Sequence, residues 1–309
     1  MSHLRTLFSA LLGPIFFCTA CIADKFDQIN ENVAESGAEV NGNKDHSRIV
    51  TNGLSAAYLL SSRDALIDLS ARELSPAAIA GSPLMEEAEG RSLLGYVIKC
   101  ALGWDEQLKI PYGGVSIIFE GGVGLAETWA SDALSASGQR WMTACLLAHS
   151  NAYGIRVPLS LRGDHPGLAT TTEEVQTYTI EEGAYYGDLF ARGTKEPEIL
   201  ACWGKSAEDP CAASQSKWLA DRVCALGSAS ESACGFFVAG ACYESKRGGF
   251  RACSKSDENG YHDCYPTTGE TSLSASLERD GRGTGYAEVI TVFLKVDPKA
   301  MMPIECAGP

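Results

Sequence analysis

"SGQRWMTACLLAHSNAYGIRVPLSL", residues 137–161, holds two different periodicities side by side. Trp141, Cys145, Ala148 and Ala152 recur every three or four residues, the spacing of one face of a helix, and Gly154 is suited to end it. Ile155, Val157, Leu159 and Leu161 then alternate with other residues, which is the spacing of a half-buried strand. Pro158 has no N–H to donate to a ladder, so the strand is expected at a sheet edge. A strong helix running directly into a strand points to a mixed fold.

The flanking segments extend that reading. Ser82 and Pro83, followed by Glu86 and Glu87, have the form of a helix start: cap, proline, acidic first turn. Leu93, Leu94, Val97, Ile98 and Ala101 continue at helical spacing, with Cys100 near the end. Residues 62–80 are also helix-like, interrupted by Pro76. The run VSIIFE, 115–120, lies between glycine pairs and predicts a buried strand. Thr171 with Glu174 resembles a capping box opening a helix towards Glu182. GAYYGDLF, 183–190, reads as a packed loop, and EVITVFLKV, 288–296, is the clearest strand. The expected class is α+β: mixed helices and short strands, with a disulfide-rich part of strands and turns at the C-terminal end. Residues 51–200 form the α+β region and 201–309 the disulfide-rich region packed on it.

The first fifty residues have a different character. One basic residue, Arg5, precedes the uncharged run LFSALLGPIFF, 7–17, a pattern of secretory signal peptides. The run is shorter than the roughly 20 residues needed to span a bilayer. Cys18-Thr19-Ala20-Cys21 follows. It resembles the lipobox of bacterial lipoproteins, in which small residues precede a cysteine that is lipidated and becomes the mature N-terminus. Cys18 stands where that class usually has leucine. The resemblance implies a signal peptide at 1–20, lipidation at Cys21, and a flexible tether over 21–50, whose Asn-, Glu- and Gly-rich sequence is too polar to form a core. It also implies an extracytoplasmic location, outer-membrane-anchored or periplasmic, with the membrane as partner through the lipid. Cleavage after Ala23 is the competing route. A redox use of Cys18 and Cys21 would need a thioredoxin-like βαβ setting, not the end of an apolar leader.

Twelve cysteines in 309 residues fit an oxidising compartment. Either processing route leaves ten: Cys100, Cys145, Cys202, Cys211, Cys224, Cys234, Cys242, Cys253, Cys264 and Cys306. That number permits five disulfides, and Cys100 and Cys145 are expected to bridge their two helices. No C-x-x-C follows residue 21, so no zinc ribbon or other metal site is expected. With 25 basic and 39 acidic residues the net charge is −14, a surface that repels phosphate backbones and excludes nucleic acid as a partner.

Motifs that carry chemistry are few. GGVGLAETW, 121–129, follows a strand like a dinucleotide fingerprint, but Glu127 stands where the third glycine belongs and would oppose a pyrophosphate. A tight turn is the expectation, and no cofactor. Ser214-Gln215-Ser216-Lys217 matches S-x-x-K, yet the K-T-G of serine–lysine enzymes is missing. Among the histidines, His149 lies one turn from Cys145, His165 sits in the turn-like RGDHPG, and His262 in GYHDC. A histidine site would bring His149 and His165 together, oriented by Glu181, Glu182 or Asp188. Glu120, leaving a strand into a glycine-rich turn, is the other carboxylate that could form a catalytic pair. The sequence therefore supports an exported, lipid-anchored envelope protein that binds a protein or small-molecule partner of unknown identity or plays a structural part. The alternative is an extracytoplasmic hydrolase drawing on His149, His165, Glu182 or Glu120.

Overall fold

The computed structural model describes residues 49–192, 197–208, 222, 224, 227–228, 231–232, 234–243, 251–265 and 285–296, all within one compact unit. The leader, most of the tether, Cys211, Cys306 and the S-x-x-K stretch lie outside the described residues. The fold is α+β. Its centre is a six-stranded sheet of β1 (Ile49–Asn52), β2 (Val157–Arg162), β3 (Tyr178–Asp188), β4 (Glu198–Trp203), β5 (Phe237–Ala241) and β6 (Ile290–Lys295), in the spatial order β1-β2-β6-β3-β4-β5. Every neighbouring pair is antiparallel except β4 with β5. The sheet takes strands from both sides of residue 200, so the compositional shift there falls inside one sheet.

Strand alternation sends successive side chains to opposite faces, and here both faces are covered. Ile290, Val292, Leu294, Tyr185, Ala201 and Leu159 join the larger core, with α1 (Ala88–Ala101) and α2 (Ala136–His149). Ala184, Tyr186, Leu200 and Cys202 point the other way, into a smaller core with Tyr261, Cys253 and Cys264 of the hairpin 253–264. The Tyr261 N–H donates to Thr291 Oγ1 and so ties that hairpin to β6. Between α1 and the sheet, α2 is buried at every residue from Trp141 to His149, more than the single face its spacing implied.

Among the described residues, four disulfides fasten these layers. Cys100–Cys145 joins α1 to α2 with Cα atoms 6.1 Å apart, as the helical spacing predicted. Cys202–Cys242, Cys224–Cys234 and Cys253–Cys264 hold the C-terminal part.

Several local expectations change. Strand β2 is not at an edge: β1 flanks it, and the β2–β6 ladder begins at Leu159, so Pro158 pairs only with Thr51 of the terminal strand. Nor is β2 half-buried, because Ser160 and Arg162 are covered on its second face, where Arg162 lies 3.7 Å from the Phe293 ring centroid. The segment 183–190 is mainly strand, not loop. It is the end of an eleven-residue β3, which Gly187 allows to lie against β4: at φ +128°, a Cβ there would stand 1.9 Å from the Glu198 carbonyl oxygen. Thr171 does cap a helix, accepting the Glu174 N–H, but that helix spans only Thr172–Thr177, leaving Glu181 and Glu182 in β3. The strand Val115–Glu120 exists, yet in a hairpin with Gln107–Tyr112 where only Ile110 and Phe119 are buried. Ser82 caps a short 3₁₀ turn, Pro83–Met85, and α1 starts only at Ala88. The turn folds back so closely that a Cβ on Gly90 would lie 2.1 Å from the Leu84 oxygen.

Candidate functional site

The residues singled out from sequence do not converge. His149 ends α2 and is fully buried. Its Nδ1–H donates to the Cys145 carbonyl at 2.9 Å, which leaves Nε2 as a buried acceptor without a hydrogen-bond partner. The sulfurs of Cys145 and Cys100 stand 3.6 and 3.8 Å from Nδ1, and the Tyr96 ring packs at 5.3 Å. Burial pushes the His149 pKa down to about 3; the Lys99 and Arg222 charges push the same way, against the Cys145 carbonyl. A substrate has no access to this imidazole.

Glu182 is equally buried and already paired. It receives the Arg222 Nε–H at 2.7 Å and the Tyr185 hydroxyl at 3.0 Å, while Arg222 Nη2 donates to that hydroxyl at 3.1 Å. Burial and the Glu182 carboxylate drive the Tyr185 hydroxyl far above its ordinary pKa. Here an ion pair closes on itself inside the core. Glu181 accepts from the Tyr261 hydroxyl and from the Lys205 N–H, and Asp188 accepts the Phe190 N–H. His262 pairs with Asp257 at 2.9 Å across its hairpin. Glu120 is exposed at the base of the hairpin 107–120, near Lys99. Two clusters have the composition of metal sites, Cys100-Cys145-His149 and Cys202-Cys242-Cys253, but all of these cysteines are in disulfides and offer no thiolate.

His165 is the exception. It caps the 3₁₀ turn Pro166–Leu168, accepting the Gly167 N–H through Nδ1, so a neutral ring carries its proton on Nε2. Its ring meets the edge of Trp141 at 5.0 Å. Trp141 and His149 lie eight residues apart on one helix, about 12 Å along the axis, so the two histidines belong to opposite ends of α2.

His165 and Trp141 line a cleft of about 630 Å³. Its other walls are the segment 103–105, the glycine-rich loop 123–128 and the amino end of α2 from Ser135 to Gly138. Trp104, 64% exposed, stands on the first wall, while Trp141 is nearly covered. Asp105 Oδ1 and Glu127 Oε1 each lie 3.2 Å from where a Cβ on Gly103 would stand, so two exposed carboxylates flank one bare backbone position. No lysine or arginine lines the cleft among the described residues.

The glycine-rich loop is not a phosphate cradle. Its N–H groups cap the carboxyl end of α1: Val123 to Lys99 O, Gly122 and Gly124 to Leu102 O, Leu125 to Cys100 O and Ala126 to Ala101 O, all at 2.7–3.0 Å. With those donors used, residues 122–126 have no N–H left for a phosphate. Gly167 lets the His165 turn close over it, since a Cβ there would sit 2.2 Å from the Val123 oxygen. The sequence singled out this loop as unusual but as a turn. Trp104 and Asp105 belong to no motif, and only their exposure beside the cleft marks them.

Comparison of the chain with protein families, with curated proteins and with solved structures finds no match.

Proposed function

We propose that the protein is an exported bacterial envelope protein, lipid-anchored through Cys21, that binds a small ligand in the cleft beside His165. The observation that carries the binding reading is the cleft itself. Ligand sites are concave, of roughly 300–1,000 Å³, and combine aromatic walls with a few placed polar groups. This cleft has Trp104 and Trp141, two carboxylates and a histidine in about that volume. The export reading is supported by the leader and by the disulfides of the described residues, which persist in oxidising compartments. A hydrolase would have to use His165, the one sequence candidate that lines the cleft, since His149 and Glu182 are sealed in the core.

The test is oxidative footprinting of Trp104 in protein purified from its host, before and after stripping bound molecules by reversible unfolding in urea with the disulfides intact. Trp104 should oxidise several-fold faster once stripped, while buried Trp129 does not change. Equal Trp104 rates would remove the binding reading.

A further inference from the structure

The lining chemistry of the cleft selects among ligand classes, and we infer that it takes a small organic ammonium ion. This rests on the cleft being a ligand site and goes on to name what enters it. Four features point the same way. Two acidic residues, Asp105 and Glu127, line the cavity with carboxylate oxygens close to Gly103, and no cationic side chain lines it among the described residues. Residues 122–126 have spent their N–H groups on the end of α1, so they hold no backbone donors for an anion. Trp104 holds out an indole that is 64% exposed beside Asp105, and an indole face is the best side-chain surface for a cation. A net charge of −14 raises the local concentration of cations at such a cleft.

The amino end of α2 also opens on the cavity and favours negative charge. Ser137 donates to Glu288 Oε1 at 2.6 Å, and Arg140 pairs with Glu288 at 2.7 Å, so this helix end has its own buried carboxylate. Glu288, paired with Arg140, already takes up that end of the helix.

The experiment is a calorimetric titration of the stripped protein at low ionic strength with tetramethylammonium, n-butylammonium, acetate and methyl glucoside. The ammonium ions should bind saturably at one site, more weakly as salt is added. Asp105→Asn/Glu127→Gln should weaken tetramethylammonium binding at least tenfold. Trp104→Ala should weaken it by about fivefold, the scale of an exposed cation–π contact. These residues are exposed, so unchanged unfolding curves serve as the control for folding. Ammonium binding insensitive to those substitutions would overturn the assignment. Saturable binding of acetate or methyl glucoside with silent ammonium ions would overturn it too, while leaving the cleft as a ligand site. No binding by any probe, together with an unprotected Trp104 in the native footprint, would remove both.

Discussion

Substituting Glu182 tests the core that takes this residue out of the reckoning as a catalyst. Glu182 and Arg222 are both fully buried and bonded at 2.7 Å, with Tyr185 bridging them. Glu182→Leu removes the carboxylate but leaves a guanidinium in the interior, one of whose nitrogens, Nη1, already has no hydrogen-bond partner. Breaking a buried pair from one side costs about 3–5 kcal/mol, because the remaining charge is uncompensated. For a domain of this size that is roughly 6–20 °C in Tm. Replacing the whole network, Glu182→Leu/Arg222→Met/Tyr185→Phe, removes every buried polar group together and should come within about 1 kcal/mol of wild type, because apolar packing repays the lost pair. Urea unfolding with disulfides intact, followed by intrinsic fluorescence, reads both. A loss under about 1 kcal/mol for the single substitution would refute the buried geometry. A triple variant as unstable as the single one would refute the desolvation argument.

Other outcomes follow from the same interior. His149 stays neutral in the folded protein until about pH 3 but takes a proton near 6.5 when unfolded. Its contribution is therefore complete above about pH 6.5 and is lost at about 1.4 kcal/mol per unit as pH falls from there towards 3; His149→Phe should flatten that slope in unfolding curves. The Cys100–Cys145 bridge spans 45 residues, so Cys100→Ala/Cys145→Ala should lose about 4 kcal/mol by the loop-entropy relation, measured by urea unfolding. Protein from its native host should show, by intact mass after thiol alkylation, a mature chain beginning at acylated Cys21 with no alkylated cysteine. A reversible thiol pair at Cys18 and Cys21 would contradict export through a lipobox.

Legibility from sequence followed how local each cause was. Periodicity located α2, most of α1, β2 and β6, and it brought Cys100 and Cys145 to one interface, because helical and strand spacing are written in consecutive residues. It failed where distant segments decide. β2 is interior only because residues 49–52 add a strand beyond it, and GAYYGD is a strand only because β4 and β6 pair with it. Glu182 looked available as a carboxylate, but its partner Arg222 is 40 residues away and lay in no motif. His149 and His165 were placed together on the assumption that β2 returns beside α2. Instead α2 packs chiefly on β3, and their positions along α2 leave the two histidines at opposite ends. The cleft was the least legible feature. It is assembled from four separate segments, and the signal that names its ligand class is the exposure of Trp104 and the diversion of loop N–H groups to α1, neither of which is encoded in any short pattern.

The most direct measurement of the central claim is native mass spectrometry of the protein from its host, compared with Thr128→Trp. Thr128 is exposed on the cleft wall, so an indole there fills the cavity without entering the core. The wild-type chain should carry a small-molecule adduct that acid or urea releases, and Thr128→Trp should fly without it at unchanged stability. An adduct retained equally by both proteins would place the ligand elsewhere and contradict the account.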